Sequence, residues 1–223
     1  MRKAIFTIWM MLSLQWGHAQ VHEFGFWGGG NNIIGDIGSE DYIMPDGWFG
    51  AAYYRLNLNP WYSFRLQGMF SQWKVSDMYA RSRGRRMRGW EAHADFVDMN
   101  FLIEYNFLPL NPYKKPLKIL TTPYLMAGVG FYGSFVHSGP VYLTENTFEL
   151  PFGFGLKFSL TKRIKFNWEV LIHYSIKDDL DASHVRDSFS VPKTNMWSND
   201  WYITQGIGFS FGYGELPCYL NVF

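Results

Sequence analysis

Two residues with the types and spacing of a catalytic pair are present in the chain, His173 and Ser175. An imidazole close to a hydroxyl can accept its proton and turn the oxygen into a nucleophile for cleaving an ester. Residues i and i+2 of a β-strand lie on the same face of the strand. The direction of that face therefore decides whether a substrate can reach the pair.

A run of acidic residues with one histidine follows this pair. Side chains of these types could hold a cation or form an Asp/His pair, but their spacing is not that of a calcium-binding loop. The chain also lacks a glycine-rich phosphate loop and the spacing of zinc ligands. We interpret the run as solvated loop charge and predict no metal and no cofactor. The run consists of Asp178, Asp179, Asp181, His184 and Asp187.

The composition narrows the class of protein that must position these residues. The chain has 223 residues, enough for one large domain, and its formal net charge of +1 predicts no nucleic-acid partner. Aromatic residues make up 20% of the chain, alongside 22 glycines. Because aromatic side chains favour strands and membrane interfaces, this bias argues against a helical or α/β enzyme.

Large apolar residues alternate with small or charged ones along residues 148–160. One face carries phenylalanine or leucine at every second position, and the other carries Glu149, Gly153, Gly155 and Lys157. Seven more segments alternate in this way. Most are about ten residues or longer, the length of a tilted strand that crosses a bilayer. The pattern predicts an all-β fold, an eight-stranded antiparallel transmembrane β-barrel of the outer membrane.

The inward faces of these strands carry charges of both signs mixed with glycines. Because buried charges need partners of opposite sign, these faces predict a filled lumen and not a channel. His173 and Ser175 also point into this lumen, where a lipid substrate could not reach them. A water-soluble sandwich with a solvated polar face is the alternative. The predicted lumen charge network comprises Arg55, Arg65, Asp98, Glu104, Glu149, Lys157, Lys165 and Glu169.

Turn lengths predict the register of two hairpins. If the outward residues of neighbouring strands pair, the links 59–61 and 161–163 are three-residue turns, a common hairpin length. This register places Arg55 opposite Arg65, which is repulsive unless an acid lies close to both. Glu104 on the next strand is the predicted acid.

The ends of the chain predict export and a periplasmic location for both termini. Arg2 and Lys3, an apolar stretch and a small-x-small pattern before Gln20 are typical of a secretory signal peptide. With an even strand count, both termini and the short links lie in the periplasm. The predicted divisions are a signal peptide at 1–19, the barrel at 20–212 and a periplasmic C-terminal tail at 213–223. The stretches predicted to face outward are 31–46, 74–93, 137–146 and 177–200.

One of the outward stretches is rich in arginine. Guanidinium groups bind phosphate through paired hydrogen bonds, so outer-membrane lipids and lipopolysaccharide are predicted partners there. The same arginines could instead help to seat the barrel in the outer leaflet of the membrane, and this explanation fits their charge equally well. The arginines are Arg81, Arg83, Arg85, Arg86 and Arg88.

Six stretches cover most of the mature chain in order: "EFGFWGGGNNIIGDIG", "GAAYYRLNLNPWYSFRLQG", "IEYNFLP", "PYLMAGVGFY", "ELPFGFGLKFSLTKRIKFNWEV" and "YSIKDDLDASH". Together they resemble the PorG family, the small outer-membrane barrels of the type IX secretion system of Bacteroidota. The resemblance implies a non-enzymatic component that binds the lipoprotein of a periplasmic ring and ties that ring to the outer membrane. The ending "DASH" departs from the "DDVS"-like ending of the family, so no role carries over to that loop.

Two predicted periplasmic features exceed what a bare barrel needs, a long link at 108–121 and the C-terminal tail. We predict that they bind the ring lipoprotein. The single cysteine, Cys218, has no partner within the chain, so it is free, capped or paired with another chain, and we predict an intermolecular disulfide. The residues predicted to bind the partner are Cys218, Pro217, Tyr219, Lys114 and Lys115.

Two other functions would fit the same barrel. The spacing of His173 and Ser175 resembles the His-x-Ser pair of lipid A deacylases, so a stand-alone surface enzyme that modifies lipid A is one alternative. An adhesin or a structural barrel, with neither turnover nor a periplasmic partner, is the other.

Overall fold

Eight antiparallel strands form a closed barrel, which confirms the predicted fold class. The computed structural model describes residues 21–34, 45–76, 83–88, 91–108, 121–138, 141–161, 163–176 and 201–213. The strands are β1 (Val21–Ile34), β2 (Gly47–Asn57), β3 (Tyr62–Ser76), β4 (Glu91–Asn106), β5 (Thr121–Ser138), β6 (Val141–Ser159), β7 (Ile164–Ser175) and β8 (Trp201–Tyr213), with one short helix, α1 (Arg83–Arg88), between β3 and β4.

The barrel closes by pairing its first strand with its last. Phe24 on β1 is paired with Phe211 on β8, and Phe26 with Phe209. Each of the eight strands thus has a hydrogen-bonded neighbour on both sides. Closure removes the unpaired sheet edges that would otherwise need water or another chain.

The outer surface of the barrel is apolar and aromatic. The side chains of Phe26 and Phe148 are 63% and 64% exposed, and those of Trp48, Met99 and Ile207 are exposed as well. A continuous surface of this kind is unfavourable in water. The described residues contain no helix long and apolar enough to cross a membrane, a finding that concerns helices alone.

The interior is filled by side chains, in an aromatic layer and a charged layer. The aromatic layer contains Trp73, Phe96, Tyr132 and Tyr202, all buried. The rings of Trp73 and Phe96 stack with centroids 5.5 Å apart, and Phe96 meets Tyr132 edge to face at 5.7 Å. The charged layer lies at the end of the barrel near the turns that follow β2 and β6.

Both of these turns have the predicted three-residue length. The amide of Leu58 donates to the carbonyl of Tyr62, and that of Leu160 donates to the carbonyl of Ile164. Inside the first turn, the side-chain oxygen of Asn59 accepts from two backbone amides; Thr161 does the same in the second. Such side chains replace a backbone acceptor and fix the turn.

The strands β5 and β6 are longer than the alternation predicted. The stretch 137–146 was expected to be an outward loop. Its residues before 139 and after 140 instead belong to paired strands, with His137 opposite Tyr142 and Ser138 opposite Val141. Ladder hydrogen bonds use backbone groups only. The hairpin therefore continues beyond the last large apolar residue of β5, where the alternation of side chains no longer marks the strand.

Several predicted segments lie outside the described residues. They are the signal peptide at 1–19, the stretch 109–120 with Lys114 and Lys115, the acidic run at 178–187, and the tail with Pro217, Cys218 and Tyr219.

Candidate functional site

The core of the charged layer is a group of two arginines and the acids around them. Arg55 and Arg65 are fully buried and directly paired across β2 and β3. Nε of Arg55 lies 2.9 Å from Oε2 of Glu104, and Nη1 of Arg65 lies 3.5 Å from Oε1 of the same carboxylate. Glu169 accepts from Arg65 Nη1 at 2.7 Å. The acids thus offset the repulsion between two adjacent guanidinium groups.

Two lysines complete this ion-paired group. Nζ of Lys157 donates to Glu104 Oε2 at 2.6 Å and to Asn106 Oδ1 at 2.7 Å. Lys165, which is partly exposed near the end of the barrel, pairs with Glu23. Because buried ammonium groups need several oxygen partners, these contacts explain how lysine is tolerated inside the wall.

Two tyrosine rings contact the buried cations, and one of the two hydroxyl groups also binds an acid. The guanidinium carbon of Arg65 lies 3.8 Å from the ring centroid of Tyr53. Nζ of Lys157 lies 4.0 Å from the ring centroid of Tyr124, whose hydroxyl donates to Glu169 Oε1 at 2.5 Å. Ring faces attract cations, so both rings stabilise buried positive charge, and Tyr124 also binds a carboxylate. The alternation marked these tyrosines only as inward residues, not as part of the network.

Glu23 is a further member of the group, one that was not among the predicted lumen charges. Its carboxylate is fully buried and lies 2.9 Å from Nη1 of Arg55. It also accepts from Asn57 Nδ2 at 2.7 Å and from Ser210 Oγ at 3.1 Å. A signal for it was present, since Phe24 on β1 faces outward and its neighbour must face inward.

The structure divides the predicted network into two clusters. Arg55, Arg65, Glu104, Lys157, Lys165 and Glu169 form the first cluster together with Glu23. Asp98 and Glu149 lie apart from it, in a second cluster with His173 and Tyr202. Nδ1 of His173 is 3.2 Å from Glu149 Oε1, and the hydroxyl of Tyr202 is 2.5 Å from Glu149 Oε2 and 3.2 Å from Asp98 Oδ2.

His173 and Ser175 are both buried in the interior and do not form a nucleophile pair. His173 is stacked on Tyr202 with ring centroids 4.1 Å apart, and its Nε2 lies 3.3 Å from Thr204 Oγ1. The Ser175 hydroxyl is 2.8 Å from that of Tyr132. Both ring nitrogens of His173 thus face groups other than Ser175, whose hydroxyl is paired with Tyr132 instead.

A sequence comparison identifies the family of the chain. A family model described as "Domain of unknown function (DUF6089)" matches residues 2–222. The chain belongs to the DUF6089 family. No curated protein matches the chain in sequence.

Solved structures similar to this DUF6089 chain are bacterial outer-membrane barrels. Neisserial surface protein A is 11% identical, with a TM-score of 0.53 over 86% of this chain and 97% of the other. A major outer membrane protein from Thermus thermophilus is 15% identical, with a TM-score of 0.53 over 88% of this chain and 100% of the other. At these identities the similarity is one of fold alone.

The interior of this DUF6089 barrel has the properties of a structural plug. In its first cluster each buried charge contacts an opposite charge, and removing one partner of such a pair typically costs about 3–5 kcal/mol. The aromatic layer covers the second cluster, where Phe96 stacks on Tyr202 at 6.2 Å. The contacts among the described interior residues therefore hold the strands together from inside the barrel.

Proposed function

We propose that this DUF6089 protein is a non-enzymatic anchor in the outer membrane that holds the periplasmic lipoprotein ring of a type IX secretion system. The observation that carries the proposal is the filled interior, in which ion pairs and stacked rings occupy the lumen. A barrel of this kind offers neither a passage for cargo nor a reachable reaction site. Its function then belongs to the segments outside the wall.

The outward residues support a location in the membrane. Exposed rings of Phe24, Phe131, Phe148 and Phe209 occupy four different strands, so the apolar surface surrounds the barrel. Transferring such side chains from water to hydrocarbon is favourable by about 25 cal/mol per Å² of apolar surface. A closed barrel is also one of the two folds that satisfy all backbone hydrogen bonds in lipid.

The buried position of His173 and Ser175 argues against the lipid A enzyme. Both side chains are fully buried, and both are bonded to other interior groups. A lipid headgroup would have to pass the wall or the aromatic layer to reach them. We therefore place the protein among binding components rather than among enzymes.

The proposed partner rests on the resemblance to the PorG family and on the periplasmic segments. In the proposal, the link 108–121 with Lys114 and Lys115 and the tail with Pro217, Cys218 and Tyr219 contact the ring lipoprotein. Cys218 and a cysteine of the lipoprotein form a disulfide. The two thiols together give up two protons and two electrons to a periplasmic thiol oxidant.

Isolation from native outer membranes tests this function. The protein would carry an affinity tag inside the outward stretch 177–200, and its partners would be identified by mass spectrometry after reducing and non-reducing gels. The expected result is co-purification of a ring lipoprotein and an adduct that reducing agent removes. A barrel that elutes alone from mild detergent would overturn the anchor.

Two variants separate the parts of the proposal. Cys218→Ser should remove the adduct and leave the barrel folded, while a chain that ends at Tyr213 should also lose the non-covalent partner. An unchanged non-reducing gel for Cys218→Ser contradicts the disulfide alone. Full retention of the lipoprotein by the shortened chain contradicts the tail as a docking segment.

A further inference from the structure

The second buried cluster has an excess of negative charge. Asp98 and Glu149 are 3% and 0% exposed, and in the described part of the chain neither is ion-paired with an arginine or a lysine. Both carboxylates lie near His173 and near the hydroxyl of Tyr202. This hydroxyl has a single proton, so it can donate to only one of the two carboxylates at a time. Two carboxylates this close in a dry interior require a cation or protons between them.

The donor atoms of the cluster are arranged around one point. Asp98, Glu149 and His173 each offer an atom such that all of these atoms lie within 4.8 Å of one another. Ligands of one tetrahedral Zn²⁺, bound at about 2.0–2.2 Å, are about 3.4 Å apart. Small side-chain rotations would therefore bring the three groups around a single ion.

Asn100 supplies a separate indication of a missing ligand. Its side chain is fully buried, its Nδ2 donates to Asp98 Oδ1 at 3.0 Å, and its Oδ1 has no hydrogen-bond partner. A Cβ at Gly130 would lie 1.9 Å from this Oδ1 and 2.7 Å from Glu149 Oε1. The orphan oxygen is therefore aimed at the same small space as the Glu149 carboxylate, because Gly130 leaves that space open.

The surroundings of His173 are those of a metal-ligating histidine. With its proton on Nε2, the ring donates to Thr204 Oγ1 and turns the lone pair of Nδ1 toward Glu149. Tyr202 donates to Glu149 and covers the imidazole face. Hydrogen bonds that orient ligands and an apolar cover that excludes water are the usual outer shell of a metal site.

We propose that Asp98, Glu149 and His173 form a buried binding site for one divalent transition-metal ion, with Asn100 Oδ1 as a further ligand. The imidazole favours Zn²⁺ over Mg²⁺ and Ca²⁺, which prefer oxygen donors alone. The ion neutralises the carboxylates and joins β4, β6 and β7 from inside the barrel. It is a structural ion, independent of the proposed anchor role. Since the ligands come from three strands, no sequence spacing marks the site.

Metal content after refolding tests the site. The full chain without a polyhistidine tag is unfolded in urea with EDTA, refolded in detergent with ZnCl₂, desalted, and analysed by inductively coupled plasma mass spectrometry. We expect about one zinc per folded chain, retained in a hundredfold excess of MgCl₂. Folded wild-type protein that retains no zinc would overturn the proposal. Protons, and not a metal ion, would then neutralise the two carboxylates.

Matched variants locate the ion. Asp98→Asn combined with Glu149→Gln keeps the shape of both side chains and removes the repulsion between the two carboxylates. The double variant should therefore fold without zinc, and it should bind at least tenfold less zinc than the wild-type protein. Glu23→Gln removes a carboxylate of equal burial from the first cluster, and the zinc content per folded chain should stay full even though this variant is less stable. Zinc that remains in the folded double variant contradicts the site.

Electron spin echo spectra of Mn²⁺-loaded wild-type protein provide a readout that needs no variant. Modulation from an imidazole nitrogen is expected if His173 is a ligand. Bound Mn²⁺ at about one ion per chain without this modulation would remove His173 from the site.

Discussion

Arg55 and Arg65 are paired directly across β2 and β3, and the carboxylate of Glu104 on β4 contacts both guanidinium groups. Lys157 on β6 binds the same carboxylate. A single acid therefore connects cations from three strands. Because the wall of the barrel curves around it, the charge of Glu104 holds together side chains that would otherwise repel one another.

Replacing this acid should destabilise the barrel strongly. Glu104→Gln keeps the shape but leaves three buried cations with one fewer anion, so the free energy of unfolding should fall by about 3–5 kcal/mol. Urea titration of the detergent-refolded protein, followed by tryptophan fluorescence, measures the change. Arg163→Gln, at an exposed turn position, should shift it by no more than about 0.5 kcal/mol. Equal midpoints for both variants would contradict the role of Glu104.

Glycines at close backbone contacts should be far less replaceable than glycines at open positions. A Cβ at Gly128 would lie 1.9 Å from the carbonyl oxygen of Phe101, whereas a Cβ at Gly68 would meet nothing within 4 Å. Gly128→Ala should cost about 1–3 kcal/mol because the backbone must move. Gly68→Ala should be neutral or stabilising by roughly 0.5–1 kcal/mol. Urea midpoints of the two variants compare them, and a reversed order would refute the close contact.

The filled lumen predicts that the reconstituted barrel does not conduct ions. Planar bilayers with the wild-type protein should show no stepwise current. Arg65→Ala and Tyr53→Ala in the charged layer, combined with Phe96→Ala and Tyr132→Ala in the aromatic layer, remove side chains from both layers and should produce steps. Tyr54→Ala with Leu66→Ala, a pair on the outward face, is the matched control and should stay silent. Steps from the wild-type protein would mean that the interior is open.

Tryptophans on the two faces of the wall should respond differently to lipid. Trp48 is 53% exposed and Trp73 is 2% exposed. In bilayers of brominated lipid, Trp48→Phe should reduce the fraction of fluorescence that the lipid quenches, since an outward ring contacts the acyl chains. Trp73→Phe should leave that fraction unchanged or raise it. The same loss for both variants would place the outward face away from lipid.

Local sequence patterns were sufficient to predict that the eight strands exist, though not the full length of β5 and β6, and to predict two of their pairings. The period of two placed Phe148 outside and Glu149 inside, and the parity of the turns placed Arg55 opposite Arg65. These features depend only on neighbours along the chain or across one hairpin.

These local patterns did not predict which side chains meet when their strands are distant in sequence. Asp98 lies near Glu149 and His173, and not near the arginines, because of the stagger of β4, β6 and β7 around the barrel. That stagger is a property of the whole closed sheet. The division of the charges into two clusters, and the contact of Glu23 with β8, therefore needed the complete fold.

The position of Glu23 determines when the barrel can finish folding. This first-strand carboxylate accepts hydrogen bonds from Arg55 on β2, Lys165 on β7 and Ser210 on β8. An open sheet lacking the last two strands would leave Glu23 with only part of its partners. Arg55 can pair with Glu23 as soon as β1 meets β2, but the contacts with Lys165 and Ser210 must wait for the last strands. Insertion is therefore expected to be an all-or-none event at the end of chain delivery, and the slow step is the meeting of β1 with β8.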